Sequence, residues 1–166
     1  MQNSQSIWSK LITALRGKST EIGEAIVDKQ ALTILDQEIR DADAAIRSAQ
    51  NDLAGLMGKE KLAANEVEAL ESTIRDYEAK ATAALNADRE DLALEVASKI
   101  AELEAQHKLK KDAHSELKAG IARMRQDIAK AQSRIGGLRT QVDMAKARET
   151  VQKAQVSSSV ASGQAN

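Results

Sequence analysis

The sequence predicts an all-α protein: a short N-terminal amphipathic helix, then a long antiparallel two-helix coiled-coil hairpin, then a flexible C-terminal tail. Three observations carry this reading. Ala, Glu, Lys, Leu and Arg supply 83 of the 166 residues, the composition of a coiled coil or a long helix. Apolar residues recur at alternating steps of three and four through most of the chain, the spacing of a helical seam. Aromatic residues make up 1%, charged residues 30%, and there is no Pro, so a compact globular core is not expected.

The same numbers restrict function. No Cys is present, which excludes disulfides and thiolate metal sites. No run of 18 apolar residues occurs, so no membrane-spanning helix is read from the sequence. The first residues are not read as a signal peptide, because Lys10 breaks their apolar stretch and no small-residue cleavage pattern follows. The net charge of -1 divides unevenly: Lys10, Arg16 and Lys18 stand in residues 1 to 20 without an acid, leaving -4 for the remainder. An anionic surface would meet the front end, and the body offers no basic stripe for nucleic acid.

Residues 4 to 18, "SQSIWSKLITALRGK", form the first predicted element. At 100° per residue Ile7, Trp8, Leu11, Ile12 and Leu15 fill an arc of about 140°, with Ser9, Lys10, Thr13 and Arg16 on the other side. Ser4 or Ser6 can cap the helix and Gly17 can end it. An interfacial Trp with Lys and Arg along the polar side suits a helix lying among anionic headgroups. The competing reading is that this helix covers apolar surface on its own hairpin or on a neighbouring subunit. So short a helix should order only on binding, and five modest side chains anchor weakly, so many copies must act together.

Residues 22 to 154 are predicted to form the hairpin. From Leu32 to Ala84, fifteen of sixteen seam positions are apolar, against about seven expected by chance, and Glu60 is the exception. A second seam runs from Val96 to Ala145, interrupted only at His107, Lys110 and His114. Between the seams lies "LNADREDL", with the turn expected near 85 to 91 across Asn86, Asp88, Arg89, Glu90, Asp91 and Leu92. Asp88 with Asp91, or Asn86, would begin the second helix. A single helix running straight through is the alternative, since this stretch holds no Gly or Pro.

A turn centred near residues 86 to 88 sets Glu60 close to His114 and Val67 close to His107. A carboxylate facing an imidazole in an apolar seam would fix the register at some expense of stability. Gly55 and Gly58 interrupt the first helix and Gly136 and Gly137 the second, each costing about 1 kcal/mol relative to Ala. They fall opposite residues other than glycine, so each pair is read as a point of flexibility or of close helix approach. From Gln155 the heptad gives way to Ser and Gly, and residues 155 to 166 are expected to be a flexible tail.

Catalytic patterns are incomplete. Gly17-Lys18-Ser19 resembles the end of a phosphate loop, but position 12 is Ile where Gly is needed and no strand precedes it. His114-Ser115-Glu116 lacks the cysteines of a zinc deaminase. His107 and His114 share a helix face, yet Lys110 between them repels a cation, so no metal is assigned. Ser115 and Lys118 have nucleophile–base spacing without an oxyanion pocket. No catalytic residue and no cofactor is assigned, and an enzyme is not expected.

The chain resembles the phage-shock protein A family, which includes the vesicle-inducing protein of plastids and belongs to the ESCRT-III superfamily. The resemblance rests on Arg89-Glu90-Asp91-Leu92-Ala93 at the turn, preceded by Ala84-Leu85, and on "ILDQEIRDADAAI", residues 34 to 46. It covers about residues 7 to 160. It implies a peripheral protein on the cytoplasmic face of a bacterial inner membrane, assembling into rods, helical filaments or rings on stressed, anionic bilayers. The implied membrane contact is made by Ile7, Trp8, Leu11, Ile12 and Leu15, with Lys10, Arg16 and Lys18 meeting lipid phosphates. Some members restrain an AAA+ transcriptional activator through the hairpin, a role that does not transfer residue by residue.

Two departures stand out. Where the family has Asp-Pro near the start of the hairpin, this chain reads Val27-Asp28-Lys29-Gln30. Family members continue into further helices that pack across neighbouring hairpins, whereas this sequence stops at Asn166, as a naturally short member or a truncated one would. The expected function is therefore a non-enzymatic, self-assembling protein of the membrane surface. The alternative is a soluble coiled-coil adaptor or regulator that docks on a protein such as that activator.

Overall fold

The computed structural model describes residues 29 to 164. Two helices account for nearly all of them: α1, Lys29–Asn86, of 58 residues, and α2, Glu90–Gly163, of 74 residues. The all-α expectation of two long helices holds. The predicted helix over residues 4 to 18 lies outside the described residues, as do residues 22 to 28 of the expected hairpin.

The described chain divides into two compact units. The first comprises residues 50 to 128, in which the ends of α1 and the start of α2 are joined by the turn. Ala84, Ala93, Leu103, Ile121 and Ile128 are its buried residues. None of the α1 positions from Gln50 to Ala83 is fully buried; Leu53, Leu56, Ala63, Val67, Leu70, Ile74 and Tyr77 are each partly covered. This follows from the geometry of two paired helices, each of which can shield only one stripe of the other.

The second unit pairs residues 29 to 49 with residues 129 to 164. Its seam is drier, with Leu32, Ile39, Ala42 and Ile46 of α1 and Ile135, Leu138 and Val142 of α2 all buried. Ile135 is 2% exposed. Asp43 pairs with Arg139 and Asp36 with Lys146 at the edge of this seam, which places these helices antiparallel.

All sixteen predicted seam positions of α1 are at least partly covered. On α2 the same is true of every predicted position except Lys110, and the seam begins one step earlier, at Ala93, which is buried. The tail differs from expectation, since α2 remains helical to Gly163. No Gly or Pro interrupts residues 155 to 162, and Ser157, Ser159 and Ser162 turn their hydroxyls onto carbonyls three or four residues back, which keeps these polar groups satisfied within a helix. Every residue from Val151 to Gln164 is exposed.

Candidate functional site

Chemistry-bearing side chains meet in two places within the unit of residues 50 to 128. One is the turn. Its sequence favours helix up to Asn86, and the chain then closes through Arg89 N donating to Ala84 O at 2.9 Å and Asp88 N donating to Leu85 O at 3.1 Å. These two bonds form a Schellman C-cap, with Asp88 in the left-handed position at φ 53°. Asp is among the few side-chain-bearing residues that tolerate it.

The turn thus uses the expected residues in different roles. Asn86 is the last residue of α1 and Asp88 closes that helix, so neither begins α2. Arg89 takes the N-cap position just before α2, its carbonyl accepting from Ala93 N at 3.0 Å. Asp88 cannot do both tasks because an N-cap needs extended backbone. Glu90 and Asp91 occupy the first turn of α2, where acids suit the exposed N–H groups. Arg89 Nε lies 3.3 Å from Asp91 Oδ1, and with the Leu92 backbone N–H it holds the Asp91 carboxyl below its ordinary value. Leu92 is exposed beside the turn.

The second place is the interruption of the apolar seam. His114 Nε2 donates to Glu60 Oε1 at 2.6 Å, and both side chains are largely covered. His107 Nε2 donates to Glu71 Oε1 at 3.0 Å. Between them Lys110 Nζ reaches Glu66 Oε2 at 2.8 Å across the helix pair. The structure therefore brings Glu60 and His114 together. It gives His107 a partner one helical turn beyond Val67, the residue the turn-centred alignment suggested. Glu66 and Glu71 went unassigned in the sequence because neither lies on the seam. They flank it, and a long carboxylate reaches in from the edge.

Each imidazole thus spends its Nε2 on a separate carboxylate, and among the described residues no three His, Cys, Asp or Glu side chains form a group able to hold a metal. Ser115 and Lys118 are both exposed on α2. Gly17, Lys18 and Ser19 lie outside the described residues, as do Ile7, Trp8, Lys10, Leu11, Ile12, Leu15 and Arg16. No described helix is long and apolar enough to cross a membrane.

Of the two readings of the glycines, the structure bears on close helix approach. A Cβ placed on Gly55, Gly58, Gly136 or Gly137 would meet nothing within 4 Å. Close approach between helices of the same chain is therefore not what these glycines serve among the described residues.

Comparison with known proteins gives the lineage. Two curated relatives, each described as "Uncharacterized protein YjfJ", come from Escherichia coli strain K12 and from Escherichia coli O6:H1 strain CFT073. Each is 28% identical over 150 residues, which cover 90% of this chain and 65% of the relative. The chain thus spans just under two thirds of the length of the curated relatives it matches. No solved structure gives a significant match. The model of the PspA/IM30 family matches residues 6 to 165, which takes in both helices, the turn and all but the first residues of the N-terminal amphipathic segment. The chain belongs to the PspA/IM30 family.

Proposed function

We propose that this chain is a non-enzymatic, self-assembling peripheral membrane protein that binds anionic bilayers and maintains or remodels the bacterial inner membrane under stress. The observation that carries the reading is the family match over residues 6 to 165, because that family supports a membrane-stress-related role in general. Residues 4 to 18 supply the contact: Ile7, Trp8, Leu11, Ile12 and Leu15 enter the interface while Lys10, Arg16 and Lys18 meet phosphates. Among the described residues no spanning helix competes with this surface attachment. A single short helix of this kind holds weakly, so useful attachment requires many copies on one bilayer. The cytoplasmic face of the membrane is the expected location.

Flotation with anionic vesicles at low salt tests this. The native chain should float with the vesicles, and Trp8→Glu or Leu11→Glu should abolish flotation while leaving helix content unchanged. A native chain that stays at the bottom of the gradient would instead favour the soluble adaptor that docks on a protein partner.

A further inference from the structure

Two stretches of α2 present outward faces of opposite charge with matched spacing. Near the start of α2, Glu90, Leu94, Ala97, Ala101 and Glu104 recur at steps of four and three along one side, and all five are exposed. Leu94 is 72% exposed, a large apolar side chain with carboxylates to either side along the helix. Near the other end, Arg134, Gly137, Gln141, Met144 and Arg148 recur at steps of three and four, and all five are exposed as well. Met144 is 53% exposed. Glu90, Glu104, Arg134 and Arg148 form no ion pair among the described residues.

Laid antiparallel, the two faces match position by position. Glu90 and Glu104 are fourteen residues apart, as are Arg134 and Arg148, so both pairs are separated by about 21 Å along the helix. Setting Glu90 against Arg148 sets Leu94 against Met144, Ala101 against Gly137 and Glu104 against Arg134. The apolar pair then lies on one stripe between two opposite-charge pairs, and charged groups placed on such a stripe specify its register. Gly137 gains a purpose. It weakens α2 and no atom lies within 4 Å of where its Cβ would be, but opposite Ala101 it allows the incoming helix to approach closely.

The surrounding charge has the same sense. Between Glu66 and Glu104 there are eleven acids and four bases, whereas residues 129 to 153 hold six bases and two acids. Such complementarity steers encounter and fixes register, and it opposes pairing of like faces.

We propose that the partner for each face is the other face on a second copy of this chain, docked antiparallel with Glu90 on Arg148, Leu94 on Met144 and Glu104 on Arg134. This deepens the self-assembly part of the proposed function and rests on it, while leaving the membrane contact of residues 4 to 18 untouched.

Sedimentation of the full chain without lipid, at low and high salt, tests the contact. The native chain should form species larger than a monomer, weakening as salt rises. The double variant E90R/E104R and the double variant R134E/R148E should each self-associate about tenfold or more weakly, with helix content by circular dichroism unchanged. Two restorations follow: an equimolar mixture of the two variants, and a single chain carrying all four substitutions, should both regain assembly. These arms separate a lost contact from a misfolded chain. A native chain that is monomeric throughout, reversed chains that sediment like the native one, or a fourfold variant that stays monomeric would each overturn the proposal. Vesicle flotation of the same variants is read separately, so a chain that floats but does not use this contact leaves the membrane reading standing.

Discussion

The unit of residues 29 to 49 with 129 to 164 is held by a dry apolar seam, with ion pairs confined to its edge. The turn-containing unit of residues 50 to 128 has a seam that is only partly covered along α1 before Ala84 and is broken by polar groups. Ile135, Leu138 and Val142 are buried in the first, whereas the middle of the second places His107 and His114 where apolar residues would otherwise sit. The contrast separates two tasks of a coiled coil. Apolar burial supplies stability, and it is tolerant of sliding by a heptad because one Leu, Ile or Ala resembles the next. A histidine that must meet a carboxylate is specific to one alignment.

The largest test of this contrast acts on the dry seam. Ile135→Ala should lower the unfolding free energy by about 2–5 kcal/mol, and Val67→Ala, which empties a partly covered site in the other unit, by about 1 kcal/mol. Urea denaturation followed by circular dichroism reads both, and equal costs would erase the distinction between the units.

The polar seam gives the next largest effect. His114→Ala leaves Glu60 largely covered and without its partner, at a cost of about 1–2 kcal/mol. Replacing both by Leu should instead leave stability unchanged or raise it, since two desolvated polar groups are exchanged for apolar contact. Distances between spin labels on the two helices would report the register in that double variant. If the alignment is unchanged and stability is no higher, Glu60 and His114 have no part in setting the register.

The smallest effect is at the turn. Asp88→Gly removes a side chain from a left-handed position and should stabilise the chain by about 0.5–1 kcal/mol. Hydrogen exchange should slow at amides beside the turn while amides of residues 129 to 154 stay as they were. A loss of stability would mean that the Asp88 side chain contributes more than its backbone conformation costs.

Much of the fold was legible because a coiled-coil seam is a local property. Leu32, Ile39, Ala42 and Ile46 announce a buried stripe by spacing alone, and the structure covers each of them. The turn was legible as a break between two periodic runs. Its chemistry was not, because Asp88 has the composition of an N-cap and the backbone of a C-cap, and only the hydrogen bonds to Ala84 and Leu85 decide between them. At the polar seam, Glu60 was visible as a misfit in a run of apolar residues. Glu71 was not, because nothing in the sequence around it says that a helix distant in the chain will bring His107 within reach.

By itself, then, the sequence determined that these residues form two long helices, which face of each is covered and roughly where the chain reverses. Those follow from the 3.6-residue period and from residue-by-residue preferences, which act over a few positions. Tertiary structure alone decided which side chains meet across the pair, that Asp88 ends one helix instead of starting the next, and that the glycines face open space. Such outcomes depend on how two helices slide past each other, and a shift of one turn changes every partner while leaving each seam as apolar as before.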